Sequence, residues 1–181
     1  MITRRSCLKA GALGVAGLFV PLTTFRSLAA QVVEVRMWGS HDGAKVGFDP
    51  IGLYVEPGQT VRWILDSNVH TTTAYHPKNG KHSLRIPEAA TSWDSDYLVN
   101  PGEHFDVTLT VEGVYDYYCT PHEQGGMVGR IVCGHPGGPG TLPFDYFTKD
   151  PAAKEWLPVP VLAAHAFPKV EDIVTKKIIR L

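Results

Sequence analysis

The chain has 181 residues, of which 44% are hydrophobic and 19% charged, and this composition excludes disorder along its whole length. Its formal net charge of −1 excludes a strongly basic nucleic-acid-binding protein, and its 3 cysteines are too few for a disulfide scaffold. The 18 glycines and 14 prolines favour a turn-rich, mainly β architecture.

Residues 1–30 are predicted to be an export signal. They contain four basic residues, no acidic residue and an apolar small-residue stretch over 10–22, and small side chains at 27 and 29 suit a cleavage site. The pair Arg4 and Arg5 resembles the twin-arginine signal, which implies export of a folded protein to a bacterial periplasm. An uncleaved membrane anchor is the alternative, which the short, Gly- and Ala-rich apolar segment disfavours. Removal of this segment lowers Lys+Arg from 17 to 13 against 18 acidic residues, a net charge of −5.

The next hundred or so residues, 31–134, are predicted to form one β domain. Short segments rich in β-branched and aromatic residues alternate with period two and are separated by glycine and proline. These segments are 33–37, 53–56, 60–65, 105–111, 114–119 and 127–133. The pattern predicts an all-β fold, an antiparallel sandwich or barrel. Residues 75–96 are less regular and are interpreted as an insertion between strands, with a short helix near Glu88.

Residues 135–181 differ in composition and are interpreted as an irregular C-terminal extension. The glycines and prolines of 136–140 exclude a helix interior or central strand, and Pro158 and Pro160 predict extended chain. Apolar residues at helical spacing after Pro168 predict a short helix at the end of the chain, whose apolar face packs on the sandwich rather than on a partner. The β domain has 7 basic and 13 acidic residues and the extension has 6 and 5, so the negative charge lies in the domain.

Residue types that bind metals are concentrated in one loop. Cys119, His122 and Met127 place a thiolate, an imidazole and a thioether between two predicted strands. Soft sulfur ligands favour copper, and imidazole suits it as well. Three ligands on one tight loop leave a fourth to come from another part of the chain.

His70 is the favoured fourth ligand because it follows the end of the strand predicted over 60–65. His76 and His82 compete with it for this role. A disulfide between Cys119 and Cys133 is the alternative to a metal-binding thiolate in an oxidising compartment.

Residues 31–134 resemble the cupredoxins, most closely the plastocyanin, pseudoazurin and halocyanin group. The ligand loop has that group's spacing Cys-x2-His-x4-Met, its flanks 113–115 and 126–129 agree, and 48–50 and 55–61 resemble the upstream strands. The resemblance implies a Greek-key β-sandwich. It also implies one type 1 copper ion, held by His70, Cys119, His122 and Met127. Many relatives have Asn after the first histidine, where its side chain braces the ligand loops, and Thr71 stands there in this chain.

The resemblance implies a function as well. It implies an electron carrier rather than an enzyme, which passes single electrons between redox proteins. With the export signal it predicts a periplasmic carrier, expected to be a monomer, and the acidic domain favours a basic partner such as a c-type cytochrome or a copper oxidoreductase. No nucleic-acid partner and no membrane span in the mature chain are expected. A copper chaperone or storage protein and a copper-dependent oxidoreductase subunit remain the alternatives. The chain has no His-x-His pair for further copper and only 3 methionines, which favours the carrier.

Overall fold

The computed structural model describes residues 31–181, so the predicted export signal lies outside the described residues. The described chain contains nine strands in two sheets and two short α-helices. The strands are β1 (Val32–Gly39), β2 (Val46–Asp49), β3 (Gly52–Val55), β4 (Thr60–Leu65), β5 (Thr73–Ala74), β6 (His104–Thr108), β7 (Gly113–Tyr118), β8 (Val128–Cys133) and β9 (Ile178–Ile179). One sheet has the order β2-β1-β4-β6 and the other the order β5-β7-β8-β3-β9. The all-β sandwich is therefore confirmed.

Strand direction differs from the expected antiparallel arrangement. β1 pairs with β4 and β3 pairs with β8 in parallel register, whereas the other strand pairs are antiparallel. Period-two alternation records which face of a strand is buried and contains no information on the direction of its neighbour. Both sheets are consequently mixed.

The core lies between the two sheets. In β4 the side chains of Val61, Trp63 and Leu65 are buried, and the residues between them are partly exposed. The ring of Trp63 packs 5.2 Å from that of Tyr117 in the opposite sheet and 5.5 Å from that of Trp93 in the 75–96 segment. The alternation seen in the sequence thus places a dense aromatic layer beneath one end of the sandwich.

The 75–96 segment forms a series of turns and contains no helix near Glu88, so that expectation was wrong. Ala90 donates its amide N–H to Pro87 at 2.9 Å, which closes a single turn there. Pro87 precedes Glu88 directly and favours this turn, and the apolar residues nearby do not repeat at helical spacing.

The extension contains helices α1 (Val161–Ala166) and α2 (Val170–Lys176). The predicted terminal helix is present as α2, which ends at Lys176, and the next residue, Lys177, has a φ of 65°. The chain then continues as β9, which adds to the edge of β3. α1 was not predicted, because six residues give too little periodicity to detect. The apolar side chain of Ile173 in α2 is buried against the sandwich, as the helical spacing predicted.

A buried ion triad fastens the extension to the second sheet. Asp116 in β7 is fully buried, and its carboxylate accepts hydrogen bonds from Arg85 Nε and Arg130 Nε, both at 2.7 Å. The guanidinium groups also donate to the extension, from Arg85 Nη2 to Gly140 O and from Arg130 Nη1 to Pro168 O, both at 2.9 Å. The extension therefore supplies the acceptors that two buried arginines need.

Over residues 31–181, neither α-helix has the length and apolar character that a membrane span requires.

Candidate metal centre

Two loops meet at one end of the sandwich. Cys119 directly follows β7, the 3₁₀ turn Thr120–Gly125 includes His122, and Met127 directly precedes β8. β7 and β8 are antiparallel neighbours, so their connection must lie at the sheet end. His70 lies between β4 and β5 and forms an isolated bridge with Leu98, which holds it at the same end.

The structure brings three of the four predicted ligand atoms together. His70 Nδ1 and His122 Nδ1 are 3.2 Å apart, and Cys119 Sγ lies 3.5 Å from the first and 3.4 Å from the second. A point equidistant from three atoms at these separations is about 2 Å from each, close to the length of a bond from a first-row metal ion to imidazole nitrogen or thiolate sulfur. The three donors therefore fit one trigonally bound metal ion.

Burial determines the protonation state of these donors. His70 and Cys119 are fully buried and His122 is half-buried. Burial, with the neighbouring His122, lowers the pKa of His70 to about 4, and burial also lowers the pKa of His122. Burial raises the pKa of the Cys119 thiol to about 11 against the hydrogen bonds from Thr71 and His122. The site therefore presents two neutral imidazoles with free lone pairs beside a buried thiol. Only a bound cation would deprotonate that thiol at neutral pH, so this is the donor set of a metal site.

Met127 lies at the end of the same turn and its side chain is buried. Its carbonyl oxygen accepts the Cys119 amide N–H at 3.0 Å, and its own amide donates to His122 O at 3.2 Å. These two bonds close the ligand loop on itself. They fix the Met127 backbone at the end of the turn that carries Cys119 and His122.

Thr71, which stands where the resemblance implies an asparagine, braces the ligand loop. Its hydroxyl oxygen accepts the Thr120 amide N–H at 2.8 Å, and its own amide donates to Cys119 Sγ at 3.3 Å. The Thr71 hydroxyl is also 2.9 Å from that of Thr73, which donates to Asp94 Oδ1 at 3.1 Å. The Thr71 hydroxyl thus supplies the acceptor that the Thr120 amide needs at the start of the ligand turn.

Comparison with known proteins identifies the family. The family model of copper binding proteins, plastocyanin/azurin family, matches residues 35–134, more than half of the chain. The chain belongs to the plastocyanin/azurin family of copper-binding proteins. Plastocyanin from Oryza sativa subsp. indica is 30% identical over 132 residues, which cover 73% of this chain and 81% of that protein. Plastocyanin from Chlamydomonas reinhardtii is 34% identical over 106 residues, which cover 59% of this chain and 70% of that protein.

A solved structure extends the likeness of fold. Native pseudoazurin from Hyphomicrobium denitrificans aligns with a TM-score of 0.53 and 19% identity, covering 81% of this chain and 98% of that one. The aligned 81% is a larger share of the chain than residues 31–134 account for. The likeness of fold therefore extends into the C-terminal extension. Copper is accordingly the metal of this family member, and the three-donor cluster is where the described residues could hold it.

The competing histidines lie elsewhere. His76 Nδ1 accepts the Lys78 amide N–H at 3.1 Å within its own loop. His82 lies behind the ligand loop, 3.0 Å from Glu123 Oε2. In the described residues, neither joins the group formed by His70, Cys119 and His122.

Cys119 and Cys133 are both free thiols, so the structure does not contain the disulfide considered as an alternative. Cys133 ends β8, whereas Cys119 directly follows β7. Gly113, at the start of β7, pairs with Cys133, so the two cysteines lie at opposite ends of the β7–β8 pair. This separation follows from the antiparallel pairing and excludes the bond on geometric grounds.

Glu123 was not among the predicted site residues, although it is a buried carboxylate next to His122. A glutamate in a short polar loop predicts exposure to solvent. Its burial depends on contacts with Tyr75 and His82 from the distant 75–96 segment, which no local pattern reports.

Proposed function

We propose that this chain is an exported carrier of single electrons whose one type 1 copper ion cycles between Cu(I) and Cu(II). In this proposal His70, Cys119, His122 and Met127 would hold the ion. The observation that carries the proposal is the triangle of donors with edges of 3.2, 3.4 and 3.5 Å. When bound, the copper supplies the one-electron redox couple.

Burial of the donors favours electron transfer over catalysis on a substrate. His70, Cys119 and Met127 are all almost completely buried, and His122 alone of the four is partly exposed. A catalytic metal needs a coordination position open to substrate. Nδ1 of His122 faces the other donors, so the opposite edge of its ring is the part directed outward. Electrons can pass through that edge, whereas a substrate could not reach the metal.

Rigidity of the donor set supports the same function. Cys119 and Met127 directly adjoin two paired strands, and Thr71 ties the first loop to the second through the Thr120 amide. Donors fixed in this way change little when the charge of the ion changes. A small rearrangement between two oxidation states is what rapid electron exchange requires.

Location and partners follow from charge and from the amino-terminal sequence. The predicted twin-arginine signal supports export to the periplasm, with 31–134 as the copper domain and 135–181 as its extension. The net acidic domain supports a basic redox partner, such as a c-type cytochrome or a copper oxidoreductase, and a monomeric carrier that binds it briefly. Association should therefore slow as ionic strength rises.

Voltammetry of the copper-loaded protein tests the proposed function. We expect one reversible one-electron couple per chain, with no consumption of dioxygen or nitrite. A colourless protein that binds only Cu(I) would favour the chaperone or storage protein instead. Steady consumption of dioxygen or nitrite would show an enzyme.

Cell fractionation tests the proposed location. Replacing Arg4 and Arg5 together by lysine should leave the protein in the cytoplasm, whereas the wild type should be found in the periplasm. Export of the lysine variant at the wild-type level would contradict the twin-arginine proposal.

A further inference from the structure

A buried polar cluster lies directly behind the ligand turn. Glu123 follows His122 and is 7% exposed. Its Oε1 accepts the Tyr75 hydroxyl at 2.7 Å, and its Oε2 lies 3.0 Å from His82 Nε2. Both carboxylate oxygens are therefore bound by side chains of the 75–96 segment, which lies far from the ligand loop in sequence.

His82 faces an oxygen acceptor on each side. Its Nδ1 is 2.8 Å from Asn79 O, and its Nε2 faces the Glu123 carboxylate. Carbonyl and carboxylate oxygens only accept hydrogen bonds, so both ring nitrogens are placed to donate to them, and the Tyr118 hydroxyl also lies 3.2 Å from Nδ1. Burial lowers the pKa of His82, but the hydrogen bond and charge of Glu123 outweigh it and the pKa is raised. A protonated His82 would make this contact a charge-assisted hydrogen bond, which is stronger than one between neutral groups.

The same imidazole also contacts the other side of the ligand loop. Its ring stacks on that of Tyr118, which directly precedes Cys119, with centroids 4.5 Å apart and an interplanar angle of 28°. Tyr118 is 3% exposed, and its ring packs 4.6 Å from that of Tyr75. His82 thus contacts the residue before Cys119 and the residue after His122.

Few other hydrogen bonds tie the ligand turn to a distant segment of the chain. Its amide hydrogen bonds run from His122 to Cys119, from Gly126 to Glu123 and from Met127 to His122, all within the loop itself. The Thr71 hydroxyl attaches the start of the turn at Thr120. Glu123 is the point beyond His122 at which a side chain ties the turn to another segment.

We propose that His82, with Tyr75, is a positioning residue that holds the His122 ring against Cys119 through Glu123 and Tyr118. This inference rests on the proposed copper site and adds a clasp outside it, defined as Tyr75, His82 and Glu123. Groups that orient metal ligands from behind commonly change metal affinity and redox behaviour when they are removed.

The test compares His82→Ala with His76→Gln in the full mature chain loaded with Cu(II). His76 lies in the same segment and bonds only within its own loop, so it is the matched control. We expect His82→Ala to weaken copper binding about tenfold to a hundredfold in competition with a chelator. We also expect its EPR hyperfine splitting and its reduction potential to differ from those of the wild type. His76→Gln should match the wild type in all three measurements.

The EPR spectrum and the potential separate positioning from a purely structural role. A folded His82→Ala protein with lower thermal stability but a wild-type spectrum and potential would overturn the proposal. If His82→Ala does not fold, Glu123→Gln and Tyr75→Phe decide the question, because each keeps the shape of its side chain and weakens one contact. Both should shift the spectrum in the same direction by a smaller amount, and two wild-type spectra would overturn the clasp.

Failure of the clasp is distinguishable from failure of the copper site. A wild-type protein without a type 1 spectrum would contradict the proposed function itself. A wild-type protein with that spectrum, unchanged in the clasp variants, would contradict only the clasp.

Discussion

Thr71 stands where the resemblance to the cupredoxins implies an asparagine that braces the ligand loops. The shorter threonine hydroxyl reaches the Thr120 amide N–H at 2.8 Å and leaves the Thr71 backbone amide to donate to Cys119 Sγ at 3.3 Å. The hydroxyl oxygen has two lone pairs and the threonine is buried, so this bond is protected from water.

Removal of the Thr71 hydroxyl should destabilise the fold. Thr71→Val leaves the Thr120 amide without its protein acceptor, and the loss of one such hydrogen bond costs about 0.5–1.5 kcal/mol. We expect this loss in the free energy of unfolding of the copper-free protein, measured by urea denaturation. Thr71→Ser keeps the hydroxyl and should be much closer to the wild type. Equal stability of the valine and serine variants would show that the hydroxyl does not brace the loop.

Asp116 is one of the 13 acidic residues that give the domain its negative charge, but it adds no charge to the surface of the molecule. In the structure it is fully buried between Arg85 and Arg130. The long arginine side chains come from the 75–96 segment and from β8, and their convergence depends on tertiary structure.

At the scale of the elements, the buried triad should be far more sensitive to mutation than the exposed ion pairs. Asp116→Ala leaves two buried guanidinium groups without their partner, and removal of one member of a buried ion pair costs about 3–5 kcal/mol. Urea unfolding measures this change. The matched control is Asp106→Ala, which breaks a similar pair with Arg62 at the surface. Similar losses of stability in the two variants would contradict the role given to the triad.

Sequence patterns predicted the strands more completely than the helices. β1, β4, β7 and β8 coincide with predicted segments to within a residue or two at each end, because alternation of buried and exposed side chains is a direct consequence of sandwich geometry. Strand direction, the two-residue strands β5 and β9 and the short helix α1 give no such periodic signal. Their positions depend on neighbours that lie far away in the sequence.

The ligand residues of the candidate site were predicted about as completely as the longer strands. Cys119, His122 and Met127 share one loop, so their spacing alone indicated a metal site. His70 was favoured over His76 and His82 by its position after a strand, and the structure places it with Cys119 and His122. The clasp residues Tyr75 and Glu123 had no signal in the sequence, because a buried tyrosine and a loop glutamate are ordinary until they are seen in contact.

At the scale of the whole molecule, the extension is part of the folded unit. Residues 135–181 cover Tyr118 and Val128 in the second sheet, supply acceptors to both buried arginines and add β9 to its edge. α1 also packs beside the ligand turn, because a Cβ added at Gly126 would lie 3.5 Å from Leu162 O. The extension thus supports the sheet that positions Cys119 and Met127.

Deletion of residues 135–181 should lower the stability of the fold without abolishing metal binding. Exposure of at least two large apolar side chains predicts a loss of more than about 3 kcal/mol in the free energy of unfolding. None of the four proposed ligands lies in the extension, so the copper spectrum of the folded fraction should remain intact at low temperature. Deletion of the exposed Leu181 alone is the control and should change neither property. Loss of the spectrum in folded, truncated protein would show that the extension supports the copper site directly.

The central claim is that a thiolate and two imidazoles bind one copper ion at the end of the sandwich. Titration of the wild type and of Cys119→Ser with Cu(II), followed by EPR and visible absorption, tests it most directly. One equivalent should give the wild type an intense visible band and a narrow copper hyperfine splitting, and the serine variant should show neither. A wild-type spectrum of ordinary tetragonal Cu(II), or identical spectra from the two proteins, would contradict the claim.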